Sequence, residues 1–281
     1  MAAHTPSSLP WLILTRPSDQ CADWARDLAA YGIRTRQLPL IDIRIRQDAD
    51  TLRHKQAAVS QLQHFSAIMH VSPNAVRGFW HPEAVDAWRA LGPYAPRLWA
   101  PGAGTAEALQ AAGFTPEAID QPPADGAADS ESLWQVVARQ VATGAQVLVL
   151  RGGSQHGATT SSPARQGAGR DWLATHIQDA GARAVFLAVY DRLLPRWTAA
   201  QRQELLTWLA QRDVMLFSSS EAVRNLAALM PDTSWSAQRA IATHPRIGAA
   251  ARTLGFGTVA DSAPHARAIA KTLQWLGQAP A

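Results

Sequence analysis

The chain has a single cysteine, Cys21, in 281 residues, so no internal disulfide can form and secretion gains no support. No apolar run reaches the ~18 residues that a membrane-spanning helix needs. Lysines and arginines are scattered, without the long like-charged run of a nucleic-acid-binding arm. A phosphate loop ending in Gly-Lys-Ser/Thr is missing, and so is a Gly-x-Ser-x-Gly nucleophile elbow. None of the nine histidines pair at metal-helix spacing, so no metal site is expected. Met1–Pro10 lacks the basic and apolar regions of a signal peptide. These absences leave a soluble cytoplasmic protein, with neither nucleic acid nor membrane as partner.

What is present can build real cores, because 47% of residues are hydrophobic and 17% are charged. The net charge of +4 suits an acidic small molecule. One stretch organises the rest. Ile68–Val71 is a short apolar run, and Ser72 and Pro73 follow it. Serine is a favoured helix N-cap and proline a favoured first helical residue, so the stretch reads strand, sharp turn, helix start. Val214–Val223 repeats the pattern, with Ser219 in the place of Ser72. Trp99–Phe114 likewise aligns with Ile241–Phe256, and Leu12–Asp42 echoes Val147–Asp191. Strands alternating with helices of about ten residues argue for parallel α/β sheets. The repeat argues for two related halves.

Several strand ends run into turns that offer hydroxyls or backbone N–H groups. They are Thr15-Arg16-Pro17, Ser72-Pro73-Asn74, Gly102–Thr105 with Gly104, Arg151-Gly152-Gly153 and Ser218-Ser219-Ser220. Taken singly, each is more often a helix cap than a ligand contact. Together, beyond the carboxyl ends of strands, they favour a large polyanion. Gly102–Thr105 lacks the third glycine of a dinucleotide loop. Tyr190 is the titratable residue that stands out. It lies near the end of the apolar strand Ala184–Asp191, and it serves either to pack its ring or to donate a proton. Ser130–Val141 reads as a helix capped by Ser130. Ser154–Gly169 is small and polar without apolar period and reads as a mobile loop.

In order and spacing the motifs T-R-P, V-S-P-N-A-V, G-A-G-T-A, V-L-V-L-R-G, V-Y-D-R, F-S-S-S-E-A-V and H-P-R-I resemble the uroporphyrinogen-III synthase family. The resemblance runs from about Trp11 to Leu276. It implies two similar parallel-sheet α/β domains, joined by a two-stranded β linker, with a cleft between them. The first domain would hold residues 1–40 and 195–281, the second 48–187, and the linker strands 41–47 and 188–194. It implies that linear hydroxymethylbilane, a polycarboxylate, is closed to uroporphyrinogen III with loss of water and inversion of ring D. No cofactor is implied, and a monomer is expected. The family's conserved tyrosine falls on Tyr190. Arg16, Ser72, Pro73, Asn74, Gly104, Thr105, Arg151, Ser219, Ser220 and Arg246 would bind substrate. Arg246 and Ile247 stand where the first half has Gly104 and Thr105. The rival reading is a non-catalytic two-domain binding protein for a small polyanion, which would not need Tyr190.

Overall fold

The computed structural model describes residues 9–123, 129–153 and 168–278. In chain order, β1 (Leu12–Leu14) leads to α1 (Ser18–Ala29), β2 (Thr35–Gln37), β3 (Asp42–Ile45), α2 (Ala49–Ser60) and β4 (Ala67–His70). Then come α3 (Pro73–Phe79), α4 (Pro82–Ala90), β5 (Arg97–Trp99), α5 (Ala103–Ala111), β6 (Ile119–Asp120) and α6 (Ser130–Val137). β7 (Gln146–Gly153), α7 (Ala168–Asp179) and β8 (Arg183–Leu193) follow. The chain ends with α8 (Ala199–Ala210), β9 (Val214–Phe217), α9 (Ser220–Leu229), β10 (Arg239–Ala242), α10 (Pro245–Leu254), β11 (Thr258–Asp261) and α11 (Ala266–Gln278).

The chain forms two compact units, one of Met1–Asp42 with Leu193–Ala281 and one of Ile43–Arg192. The first holds a sheet in the order β11-β10-β9-β1-β2, parallel throughout. The second holds the order β3-β8-β7-β4-β5-β6, parallel from β8 to β6. With β3 set aside, the two orders match strand for strand, β4 with β9, β5 with β10 and β7 with β1. These are the segments whose sequences echo each other. Helices on the faces of parallel sheets bury the strands on both sides. Hence β1, β4 and β9 are buried along their whole length; β1 and β9 read as unbroken apolar runs, and β4 as the apolar Ala67–Met69 closed by His70.

In the second unit the strand period of two sorts the core. Leu148 and Leu150 pack with Ile68, Phe79 and Trp80 on one face, whereas Val147 and Val149 pack with Met69, Leu133 and Ile177 on the other. Burying a side chain the size of Phe79 is worth ~1.5–3 kcal/mol. Leu12, Leu14, Leu28, Leu216 and Leu273 make the equivalent core of the first unit. β8 departs from a regular ladder. Its register steps from Arg151↔Ala188 to Gly152↔Tyr190, leaving Val189 as an extra residue.

Some sequence expectations need correction. α6 is capped by Asp129, whose carboxylate accepts from Ser132 N, so Ser130 is already helical. The longer carboxylate reaches the third amide, and the helix gives way to a 3-10 turn after Val137. Arg151-Gly152-Gly153 is not a turn but the end of β7, because β8 continues alongside it. Gly104 and Thr105 belong to the first turn of α5, since Gly102 takes the cap position. β2, β6 and β11 are strands that the sequence pattern did not show. Of the expected Ser154–Gly169 loop, 154–167 lie outside the described residues, and 168–169 are in α7.

Candidate active site

Ser72 holds the N-cap position of α3, with Pro73 at the first helical residue. Its side chain makes no capping bond. Instead Ser72 Oγ lies 3.0 Å from Tyr190 Oη, across from the end of β8. Tyr190 is only 2% exposed, and its ring belongs to the core on the α3 face of the sheet. Ser72 is half-buried, so it is the more accessible member of the pair. The Tyr190 ring is thus packed in the core, while its hydroxyl is held beside Ser72.

The neighbours of this pair are tied down. Asp191 Oδ1 accepts from Arg46 Nε at 2.9 Å and from Arg46 Nη2 at 2.7 Å, which joins β8 to the residue after β3. Lys55 donates to the Arg46 carbonyl at 2.9 Å, and burial lowers its pKa. Asn74 is buried, and its Oδ1 accepts from Arg77 Nη2 at 2.7 Å. Thr105 is buried and Gly104 exposed. The Arg151 guanidinium sits 4.8 Å over the Phe186 ring.

His70, which the sequence did not single out, is fully buried at the end of β4. Trp80 Nε1 donates to its Nε2 at 2.8 Å, which places the ring proton on Nδ1, 3.3 Å from the Trp99 carbonyl. Burial pushes its pKa down to about 4, so it stays neutral. It is a structural connector between β4, β5 and the end of α3. Its position at the end of a wholly apolar run is a signal of burial, but its partners are set only by the fold.

The first unit gathers the other candidates. β1 and β9 are neighbours, so Arg16 and Ser219-Ser220 follow adjacent strand ends. Thr15 Oγ1 donates to Leu216 O at 2.6 Å and ties the two ends. Arg16 donates to Gln20 Oε1 at 3.2 Å and lies 4.4 Å over the Trp24 ring. Burial lowers its pKa. Ser219 caps α9 by accepting from Glu221 N at 3.2 Å. Among the described residues, the buried side-chain polar atoms without a hydrogen-bond partner are Arg16 Nε and Ser220 Oγ. Such atoms carry a desolvation cost of ~1–3 kcal/mol until something pairs them. Two on adjacent strand ends can serve an anion. Arg246, next along on α10, is exposed, and its backbone N–H donates to His244 Nδ1 at 3.1 Å. The Cys21 thiol donates to the Arg16 carbonyl at 3.1 Å, and burial pushes its pKa up to about 12, so no thiolate is available.

Among the described residues no helix is long and apolar enough to cross a membrane, and no group of three or more His, Cys, Asp or Glu could hold a metal ion.

A family model described as "Uroporphyrinogen-III synthase HemD" matches residues 22–271. A uroporphyrinogen-III synthase of Chlorobaculum parvum (strain DSM 263 / NCIMB 8327) is 26% identical over 217 residues, 76% of each chain. The crystal structure of uroporphyrinogen-III synthetase from Helicobacter pylori 26695 is 14% identical with a TM-score of 0.58, over 95% of this chain and 100% of that one. At that identity the likeness concerns the fold. A mutant uroporphyrinogen III synthase from the extremely thermophilic bacterium Thermus thermophilus is 16% identical with a TM-score of 0.49, over 95% and 97% of the two chains.

Proposed function

The chain belongs to the uroporphyrinogen-III synthase family, and from that premise we propose that Tyr190 is the proton source for its reaction. The reaction closes hydroxymethylbilane to uroporphyrinogen III, with loss of water and inversion of ring D. The observation that supports Tyr190 is its hydroxyl, held 3.0 Å from the more accessible Ser72.

A phenol hydroxyl can act as a general acid and give its proton to a departing hydroxyl. The carbon–oxygen bond of the hydroxymethyl group breaks, and its oxygen leaves as water with the phenol's proton. Ring D is then attacked at its substituted carbon, and a spiro intermediate carries the inversion. The proton lost when the macrocycle regains its pyrroles restores the phenol. Hydroxymethylbilane also closes unaided to the type I isomer, so much of the work is conformational: the substrate must be held where only one attack is open.

Holding falls to the strand-end groups. Arg16 and Ser220 offer unpaired buried donors for carboxylates, and Arg246 offers an exposed cation. Main-chain N–H groups at the starts of α5, α9 and α10 add to them. Ser72, Pro73, Asn74, Gly104, Thr105, Arg151 and Ser219 complete the proposed substrate-binding set. We read residues 1–40 with 195–281, and 48–187, as the two domains, and 41–47 and 188–194 as their linkers. A cytoplasmic monomer without cofactor fits this chemistry.

The rival reading of a non-catalytic anion-binding protein has no specific support, and a match across 22–271 to a synthase family weighs against it. Incubating the protein with hydroxymethylbilane and resolving the type I and type III isomers tests the proposal. Excess type III over the uncatalysed reaction is expected, and type I alone would refute it.

A further inference from the structure

We propose that Gly152 is a positioning residue for the Tyr190 phenol, acting as the seat on which its ring closes. The proposal rests on the reading of Tyr190 as proton donor.

Gly152 and Tyr190 are register partners on β7 and β8. Gly152 is not among the glycines with positive φ, so its backbone does not require glycine. Space does. A Cβ built on Gly152 would lie 2.8 Å from Tyr190 Cε2, 2.9 Å from Cζ and 3.2 Å from Oη, and real Cβ atoms essentially never come under 3.0 Å. The ring thus occupies the volume that any side chain at 152 would need. Glycine in a strand interior costs stability, and close approach of another group is a recognised reason for it.

The irregularity in β8 aims the ring at this seat. Consecutive residues of a regular strand point to opposite faces, yet Val189 and Tyr190 both belong to the core on the α3 face. The extra residue is Val189, as in a β-bulge, a device that re-aims side chains. Its carbonyl accepts from Arg46 N at 3.0 Å. Gly78 of α3 packs against it, since a Cβ at 78 would lie 2.9 Å from both Val189 Cγ2 and Val189 O. One helix therefore touches the phenol's strand twice, through Gly78 at the bulge and through Ser72 at the hydroxyl. Gly152 closes the third side.

The test compares Gly152→Ala, Tyr190→Phe and the double variant with the unaltered chain. In Gly152→Ala, kcat should fall by about 10²-fold, as for a reacting group displaced by about 1 Å, with KM within about twofold. The type I share of product should rise. Phenylalanine keeps Cε2 and Cζ, so the clash and its thermal cost should be the same with Tyr or Phe at 190. The fall in kcat should not be. Adding Gly152→Ala to Tyr190→Phe should leave kcat where Tyr190→Phe put it. A merely structural role would lower kcat equally in both backgrounds, and that result overturns the proposal. So does a wild-type kcat and isomer ratio in Gly152→Ala while Tyr190→Phe is slow, which leaves the donor reading intact. A wild-type rate in Tyr190→Phe alone removes the donor reading, and this proposal with it. If Gly152→Ala yields no soluble protein, Gly78→Ala displaces the same phenol through Val189 and should show the same background dependence.

Discussion

The hydroxyl of Ser72, at the N-cap position of α3, is bonded at 3.0 Å to the phenol of Tyr190, 118 positions away in the chain, and not to its own helix. A serine cap is typically worth ~1 kcal/mol. Here that contact is forgone, while Ser219, its counterpart in the other unit, does cap α9. The two echoed serines have thus been put to different uses.

Replacing Tyr190 by phenylalanine is the most direct consequence. The ring and its packing stay, and one hydrogen bond goes, so stability should drop by only ~1 kcal/mol. Loss of general-acid help should lower kcat by about 10²–10⁴-fold. Isomer analysis after timed incubation should show the type I product rising as turnover falls.

The serine pair predicts an asymmetry. Ser219→Ala removes a cap and should cost ~1 kcal/mol of stability. Ser72→Ala removes no cap, so its stability cost should be that of the bond to Tyr190 alone, and its effect should appear in kcat. Urea unfolding and steady-state kinetics on both variants read this out. A kcat loss for Ser219→Ala that matches that for Ser72→Ala would contradict it.

Arg16 should show opposite signs in function and in stability. Its guanidinium is desolvated and leaves Nε unpaired, so Arg16→Met relieves a buried charge while keeping the stem packed on Trp24. The thermal midpoint should hold or rise. KM for hydroxymethylbilane should rise by about tenfold or more, as when a charged hydrogen bond is lost. An unchanged KM would remove Arg16 from the substrate site.

His70 makes stability depend on pH. Its pKa is about 4 when folded against 6.5 when exposed, so the unfolded chain binds the proton first. The associated stability is present above pH 6.5 and is lost as pH falls towards 4, to a limit of about 3 kcal/mol. His70→Gln keeps an acceptor for Trp80 and removes the titration. Denaturant unfolding between about pH 7 and 4.5 should show a shallower decline in that variant.

Local chemistry was enough to specify part of this fold. The short apolar runs at Leu12–Leu14, Ala67–Met69 and Val214–Phe217 suit strands buried on both faces, as a parallel sheet covered by helices provides. Ser72-Pro73 and Gly255 punctuated helices through their own backbone preferences, and the echo between the halves foretold matching strand orders. Whatever depended on residues far apart in the chain came from the tertiary fold instead. β6 has two residues and no pattern of its own, and it is a strand because β5 offers it an edge. Gly152 and Gly153 looked like a turn because glycine breaks strands locally, yet β8 pairs with them and the Tyr190 ring needs the room. Arg16 and Ser220 were candidate binders from their turns alone, but only the pairing of β1 with β9 put them at neighbouring strand ends, and only the fold left their polar atoms buried without partners. The bond between Ser72 and Tyr190 was invisible for the same reason: no local preference encodes a contact across 118 residues, and a bulge at Val189 had to turn the phenol towards it.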